Sequence, residues 1–328
     1  MAYEAQSPPG SRFKQIHASF SNCVHCKTCE IKDALRGETP ALPGDGPFDF
    51  PAILFSLMNN DDPIGVLDSG FGGLNVLAWA LRVAPGERFI YYGDFAHAPY
   101  GSKPPAQVAA FVDEACAALL ARGAKALALA CNTATSAAVA ELRARLAVPV
   151  IGMEPALKPA ALAHPRGRIL VMATELTLRE RKFRDLMARV AGDCVVDGLA
   201  CPGLASLIDR GDLMGAANRV RDLLDGCPAA TRATAVVLGC SHYAFVAGAI
   251  RQWHSGLGRE IGLFDGAEGT ARRLAAALAE RGLAAPRPAK PAPARERVEL
   301  ILQGGTGETH RTAWRLLDMA LRMEAGRE

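Results

Sequence analysis

No apolar stretch in this chain approaches the ~18–20 residues that span a bilayer, so no membrane-spanning helix is expected. Neither sign of charge dominates. Against 37 Lys and Arg stand 34 Asp and Glu, a net of +3, and no basic stripe carries interleaved aromatics, so nucleic acid is not implied as a partner. The opening has neither the basic end nor the apolar core of a signal peptide, and nine cysteines are an odd number for a disulfide framework. The expected setting is the reducing cytoplasm. Nucleotide signatures are missing as well. Gly70-x-Gly72-Gly73 is not G-x-G-x-x-G, and Asp68 just before it would repel a pyrophosphate. Gly304-Gly305-Thr306-Gly307 lacks the Lys-Ser/Thr of a P-loop and reads as a plain turn. No lysine has the sequence context of a Schiff base, and no cofactor is expected.

What the chain does contain is 50% hydrophobic residues and 32 glycines, spread over alternating apolar runs and helical stretches. That fits an α/β protein long enough for two lobes. Leu127–Ala130 is an apolar run that stops at Cys131 and passes into Asn132-Thr133-Ala134-Thr135-Ser136, a buried strand ending at a helix start. The unpaired N–H groups of that helix should point back at Cys131 and lower its thiol from a free pKa of about 8.5, favouring the thiolate. Ala235–Gly239 ends in the same way at Cys240-Ser241-His242, again before a helical segment. Each copy goes on to a further strand, Val148–Gly152 and Glu260–Phe264. One such cysteine is as readily a buried core residue. Two at matching positions, each followed by hydrogen-bonding side chains, point to similar lobes that each present a cysteine to a shared cleft. The expected fold is therefore two pseudo-symmetric Rossmann-like lobes with mainly parallel sheets. Residues 58–156 plus 261–328 form the first, 157–260 the second, and 1–57 a non-core extension.

That extension is rich in Pro, Gly and polar residues and carries Cys23, Cys26 and Cys29 at C-x2-C-x2-C spacing. Such spacing supplies three of the four thiolates of an iron–sulfur cluster. The stretch resembles the C-terminal cluster-binding segment of electron-transfer flavoprotein–ubiquinone oxidoreductase, but residues 1–22 hold no fourth cysteine and the flavin-binding body of that family is missing. A fused remnant, disordered and dispensable, fits better than a working metal site. Further on, Asp68-Ser69 at a strand end suits an ammonium group, with turn N–H groups nearby for a carboxylate. Phe89–Asp94 reads as the second strand. Its exit loop offers the Tyr100 phenol and the Gly101 N–H, while Asp94 and His97 are either contacts or a solvated loop tip. Strands are expected at Ile169–Met172 and Cys194–Val196, and Cys194, Cys201 and Cys227 read as structural. A helix near Ala267–Arg281, a proline-rich linker over 284–293, a strand at Val298–Leu302 and a helix over Glu308–Met323 follow.

Five segments now stand in order over roughly residues 63–283: Asp68-Ser69-Gly70-x-Gly72-Gly73-Leu74, Pro99-Tyr100-Gly101, Ala130-Cys131-Asn132-Thr133-Ala134, Gly152-Met153-Glu154-Pro155-Ala156 and Leu238-Gly239-Cys240-Ser241-His242-Tyr243. They resemble the signature set of the glutamate racemases, in the cofactor-independent aspartate/glutamate racemase superfamily. Three departures stand out. Ser241 replaces a usual Thr, Phe264-Asp265-Gly266 replaces Asp-Ser/Thr-Gly, and Glu175-Leu176 stand where smaller residues are common.

The resemblance implies interconversion of L- and D-glutamate for peptidoglycan synthesis, with glutamate as the partner and a homodimer left open. It assigns Cys131 and Cys240 as catalytic acid and base, with Asp68 and His242 as their polar partners and binders of the ammonium. It assigns the substrate carboxylates to Ser69, Tyr100, Gly101, Asn132, Thr133, Thr174 and Ser241. Glu154 either supports His242 or caps the next helix. The chemistry agrees, because inversion at an α-carbon takes a proton from one face and returns one to the other, which two bases on opposite faces accomplish. Other readings are an aspartate racemase or, against the retention of both cysteines, a one-cysteine malonate decarboxylase. Outside enzymes they are an amino-acid-binding regulator, or an electron carrier if the N-terminal cysteines hold a cluster.

Overall fold

Strand β1 (Ile64–Asp68) is buried at all five positions, as a strand covered on both faces must be. It is the centre of the first of two parallel sheets. The computed structural model describes residues 59–192 and 194–325, so the extension with Cys23, Cys26 and Cys29 lies outside the described residues. After β1 come α1 (Leu74–Val83), β2 (Phe89–Asp94), α2 (Pro105–Ala121), β3 (Ala126–Leu129), α3 (Asn132–Arg145) and β4 (Val150–Gly152). The second lobe follows with α4 (Leu157–Ala163), β5 (Arg168–Ala173), α5 (Glu175–Arg179), α6 (Arg181–Ala191), β6 (Val195–Ala200), α7 (Leu204–Asp209), α8 (Leu213–Asp225), β7 (Ala235–Leu238), α9 (Ala247–Gly256) and β8 (Gly262–Asp265). The chain then returns through α10 (Ala267–Glu280), α11 (Ala294–Arg297), β9 (Val298–Gln303) and α12 (Gly307–Ala325). Among the described residues no helix is long and apolar enough to cross a membrane.

The first sheet runs β4-β3-β1-β2-β9 and the second β6-β5-β7-β8, every neighbouring pair parallel. Without β9 the two orders are the same. The expected boundary at 260/261 is corrected by this topology: β8 pairs with β7, Val237 opposite Phe264, and so completes the second sheet. The crossing comes after Asp265, where α10 packs on α1 of the first lobe. The helical segment after Cys240 also differs from its counterpart. Ser241–Val246 winds as a 3₁₀ helix with all six residues buried, since the sequence S-H-Y-A-F-V has no polar face to turn outward.

A single apolar cluster runs through both lobes, joining Phe71 and Leu74 to Leu204, Ile208, Tyr243 and Phe245. The proline-rich stretch is tied down at its start: Ala285 N–H donates to Glu87 Oε1 at 2.7 Å, and Glu87 pairs with the fully buried Lys125 at 2.6 Å.

Candidate active site

Both sheets place polar residues where the strand order reverses, the point at which parallel sheets leave a crevice beyond their carboxyl ends. In the first lobe these are Asp68 at the end of β1, Ser69 just beyond it and Cys131 after β3; in the second, Thr174 after β5 and Cys240 after β7. The lobes close on one another there. Asp68 is 0% exposed, Cys131 5%, Cys240 8% and His242 2%. Asp68 accepts from Gly70 N–H at 2.8 Å and, across the lobes, from the Ser241 hydroxyl at 2.8 Å. Ser69 Oγ lies 3.9 Å from Cys131 Sγ, and His242 Nδ1 lies 3.7 Å from Cys240 Sγ. His242 Nε2 bonds Asp209 Oδ1 at 2.8 Å and stands 4.0 Å from Asp68. Asp209 in turn accepts Phe71 N–H at 2.9 Å, a second bond between lobes.

Only glycine permits this closeness. A Cβ on Gly72 would fall 2.3 Å from Ser241 Oγ and 2.6 Å from His242 N, and one on Gly70 would fall 2.2 Å from Asp209 Oδ1. A hydroxyl chain closes the far side: Thr133 and Thr174 meet across the lobes at 3.4 Å, and Thr174 meets Thr177 at 2.9 Å. Asn132 is 5% exposed with neither amide atom partnered within the protein. A buried amide left open in this way suits a ligand carboxylate.

This arrangement has known counterparts. A family model for Asp/Glu/hydantoin racemases matches residues 75–274. A glutamate racemase from Clostridium perfringens is 44% identical over 225 residues, 67% of this chain and 85% of its own. The glutamate racemase of Thermus thermophilus, solved with β-chloro-D-alanine, superposes with a TM-score of 0.62 at 35% identity, covering 79% of this chain and 94% of that one. A Bacillus anthracis isoform gives 0.67 at 29% identity, covering 79% and 95%. The chain belongs to the glutamate racemases of this family.

Within that family fold, the electrostatics of this chain correct one expectation. Cys131 is indeed the N-cap of α3, though its side chain makes no cap hydrogen bond, and the nearby Ala134 N–H acts to lower its pKa. Yet burial, followed by the charge of Asp68, outweighs that donor and pushes the thiol up to about 12. At rest Cys131 is a protonated acid, not a thiolate. Burial also raises the Asp68 carboxyl, against the pull of His242, Gly70 N–H and Ser241. For His242 burial acts to lower the pKa, but the charge and hydrogen bond of Asp209, with Cys240 and Asp68, carry it well above the usual range. His242 is an imidazolium.

Several side chains have other engagements. The Tyr100 phenol donates to Asp94 at 2.6 Å, which leaves only the backbone of that loop for a ligand. Asp94 is therefore a buried anchor and not a solvated tip, and His97 bonds it at 2.9 Å while stacking on Phe111. Ser241 spends its hydroxyl on Asp68. Glu154 is exposed, and α4 starts without a side-chain cap, so it neither supports His242 nor caps the helix. Asp209 holds the imidazole, and sequence reasoning missed it; the one signal is an acid closing the apolar turn Leu204–Ile208. Among the described residues no group of three or more His, Cys, Asp and Glu is placed to hold a metal.

Proposed function

We propose that the chain interconverts L- and D-glutamate by a two-base reaction in which Cys131 and Cys240 serve opposite faces of the α-carbon. The observation that carries this reading is the unequal charge beside two equivalent cysteines: a carboxylate, Asp68, raises Cys131, while an imidazolium, His242, lies against Cys240. A two-base site needs one sulfur protonated and the other not at the start of each turnover. In this reading Cys240, beside the imidazolium, begins as the base and Cys131 as the acid. Cys240 takes the α-proton from one enantiomer, Cys131 delivers its own to the far face, and the roles are then reversed for the other enantiomer. The substrate ammonium meets Asp68, and its charge offsets the burial that raises the carboxyl. The open amide of Asn132, with Thr133, Thr174 and Ser69, receives the carboxylates.

The product serves peptidoglycan synthesis in the cytoplasm. Circular dichroism of D-glutamate incubated with the protein tests the reaction, and in D2O the newly formed enantiomer should carry deuterium at its α-carbon. Aspartate, one methylene shorter, leaves buried donors unpaired and should fall behind by about 100-fold or more in kcat/KM. A stable dichroism signal would leave an amino-acid binder, and equal rates on the two acids would remove the glutamate assignment.

A further inference from the structure

Helix α12 buries Ala313, Leu316, Leu317 and Ala320 and turns another face to solvent. On that face residues 311, 315, 318 and 322 recur at i, i+4, i+7 and i+11 and form one stripe, three of them arginine. With Arg295 of α11 and Trp314 they line a recess of about 290 Å³. Four guanidinium groups face one carboxylate there, in a chain whose whole net charge is +3. Arg295 is already engaged: it lies over the Trp314 ring at 4.5 Å and reaches Asp318 at 3.6 Å. No ion pair is formed by Arg311, Arg315 or Arg322 among the described residues.

Local structure does not account for this grouping. Arg322 sits in the last turn, where the helix dipole favours a cation. Arg311 lies in the second turn, towards the positive end, and faces a like charge at i+4, both of which disfavour it. Arg315 reaches the surface of the second lobe, where a Cβ on Gly211 would lie 3.3 Å from its guanidinium.

We propose that this recess binds a small soluble polyphosphate anion through Arg311, Arg315 and Arg322, with Arg295 and Trp314 as its wall. Guanidinium forks match phosphate oxygens in pairs. Asp318 is paired with Arg295 at 3.6 Å, and the four guanidinium groups still outnumber this one carboxylate. The recess, about 290 Å³ and open to solvent, has room for a compact anion. No residue of the recess belongs to the catalytic set.

Calorimetry on the full chain with inorganic pyrophosphate, with sulfate as the control anion, tests this. The expected dissociation constant is below about 1 mM, weakened about 10-fold or more in the pair Arg311→Gln with Arg315→Gln. Unchanged racemisation would show that pair to be folded. Arg311→Lys, which keeps the charge and loses the fork, should fall between. Absence of binding, equal affinity for sulfate, or equal binding by the paired variant overturns the site. So does a single-stranded oligonucleotide that binds more tightly than pyrophosphate and is lost in the same variant.

Discussion

Replacing Asp209 by Asn keeps an acceptor for Phe71 N–H and removes one charge from beside His242. At 2.8 Å from Nε2 that charge contributes about 6 kcal/mol to an imidazolium at an effective dielectric of about 20; Asp68, at 4.0 Å, contributes about 4 kcal/mol. Burial is the largest influence on His242 and opposes its charge, so losing Asp209, the strongest of its three supports, should return the ring to neutrality near pH 7. Not all of that energy will appear as lost rate, because a neutral imidazole still stands beside Cys240. The expected loss is that of a displaced acid–base group, roughly 10²–10⁴-fold. Racemisation rates alone will not show which face is affected. The two enantiomers have equal free energy, so kcat/KM must fall by one factor in both directions. Elimination from a β-chloro amino acid isolates the first half, since one base removes the α-proton and chloride leaves without reprotonation. Asp209→Asn should slow elimination from the enantiomer served by Cys240, identified with Cys240→Ala, far more than from the other. Equal slowing of both enantiomers, or a loss below about fivefold in racemisation, would refute the assignment of Asp209 to the Cys240 side.

Cys131→Ala and Cys240→Ala should each abolish racemisation while retaining elimination from opposite β-chloro enantiomers; a shared preference, or substantial racemisation in either, would sink the pair. Gly72→Ala should hold the lobes apart, because its Cβ would meet the Ser241 hydroxyl and the His242 backbone, and kcat/KM should fall about 100-fold with the fold intact by circular dichroism. His254 is 0% exposed with neither ring nitrogen partnered, and burial lowers its pKa. The unfolded chain therefore takes up a proton near pH 6.5 that the folded one does not, and stability falls as pH drops, by up to about 1.4 kcal/mol per unit. Urea unfolding between pH 7.5 and 5.5 should show His254→Leu with a shallower loss than the parent, and parallel curves would contradict it. Lys125→Met leaves Glu87 buried without its cation and should cost about 3–5 kcal/mol in the same assay.

The strand-end cysteines were legible because each closes an apolar run and opens a polar one, a contrast confined to a few residues. The repeat was legible for the same reason. The assignment of the strand at 262–265 to the first lobe went against that repeat, which already paired it with 150–152, and the topology follows the repeat. Asp209 was out of reach, since its role depends on a contact with a histidine 33 residues away. The state of the Cys131 thiol is not legible in sequence, because the helix N-terminus that favours a thiolate is visible there while the burial that opposes it is seen only in the closed cleft. The arginine recess is hidden differently: Arg295 and the stripe from 311 to 322 are dilute in sequence and meet only where Arg295 reaches Trp314 and Asp318 of α12.

The two lobes are alike in strand order, while the proposed two-base reaction requires the cysteines to differ. Strand register locates the difference. Leu67 lies opposite Leu129 in one sheet and Met172 opposite Leu238 in the other, so Cys131 corresponds to Cys240, Asp68 to Ala173 and Thr133 to His242. Each lobe has a charged group where the other has a neutral one: a carboxylate at the end of β1 and an imidazolium after β7. Were the lobes identical at these positions, the two sulfurs would sit in like surroundings. The departure from symmetry gives Cys131 a carboxylate neighbour and Cys240 an imidazolium. In the proposed reaction a turnover begun at Cys240 leaves the proton there and charge on Cys131 beside Asp68. Because the two enantiomers have equal free energy, this difference between the lobes cannot favour one direction in kcat/KM; it should show only in half-reactions such as β-elimination, where one cysteine acts alone.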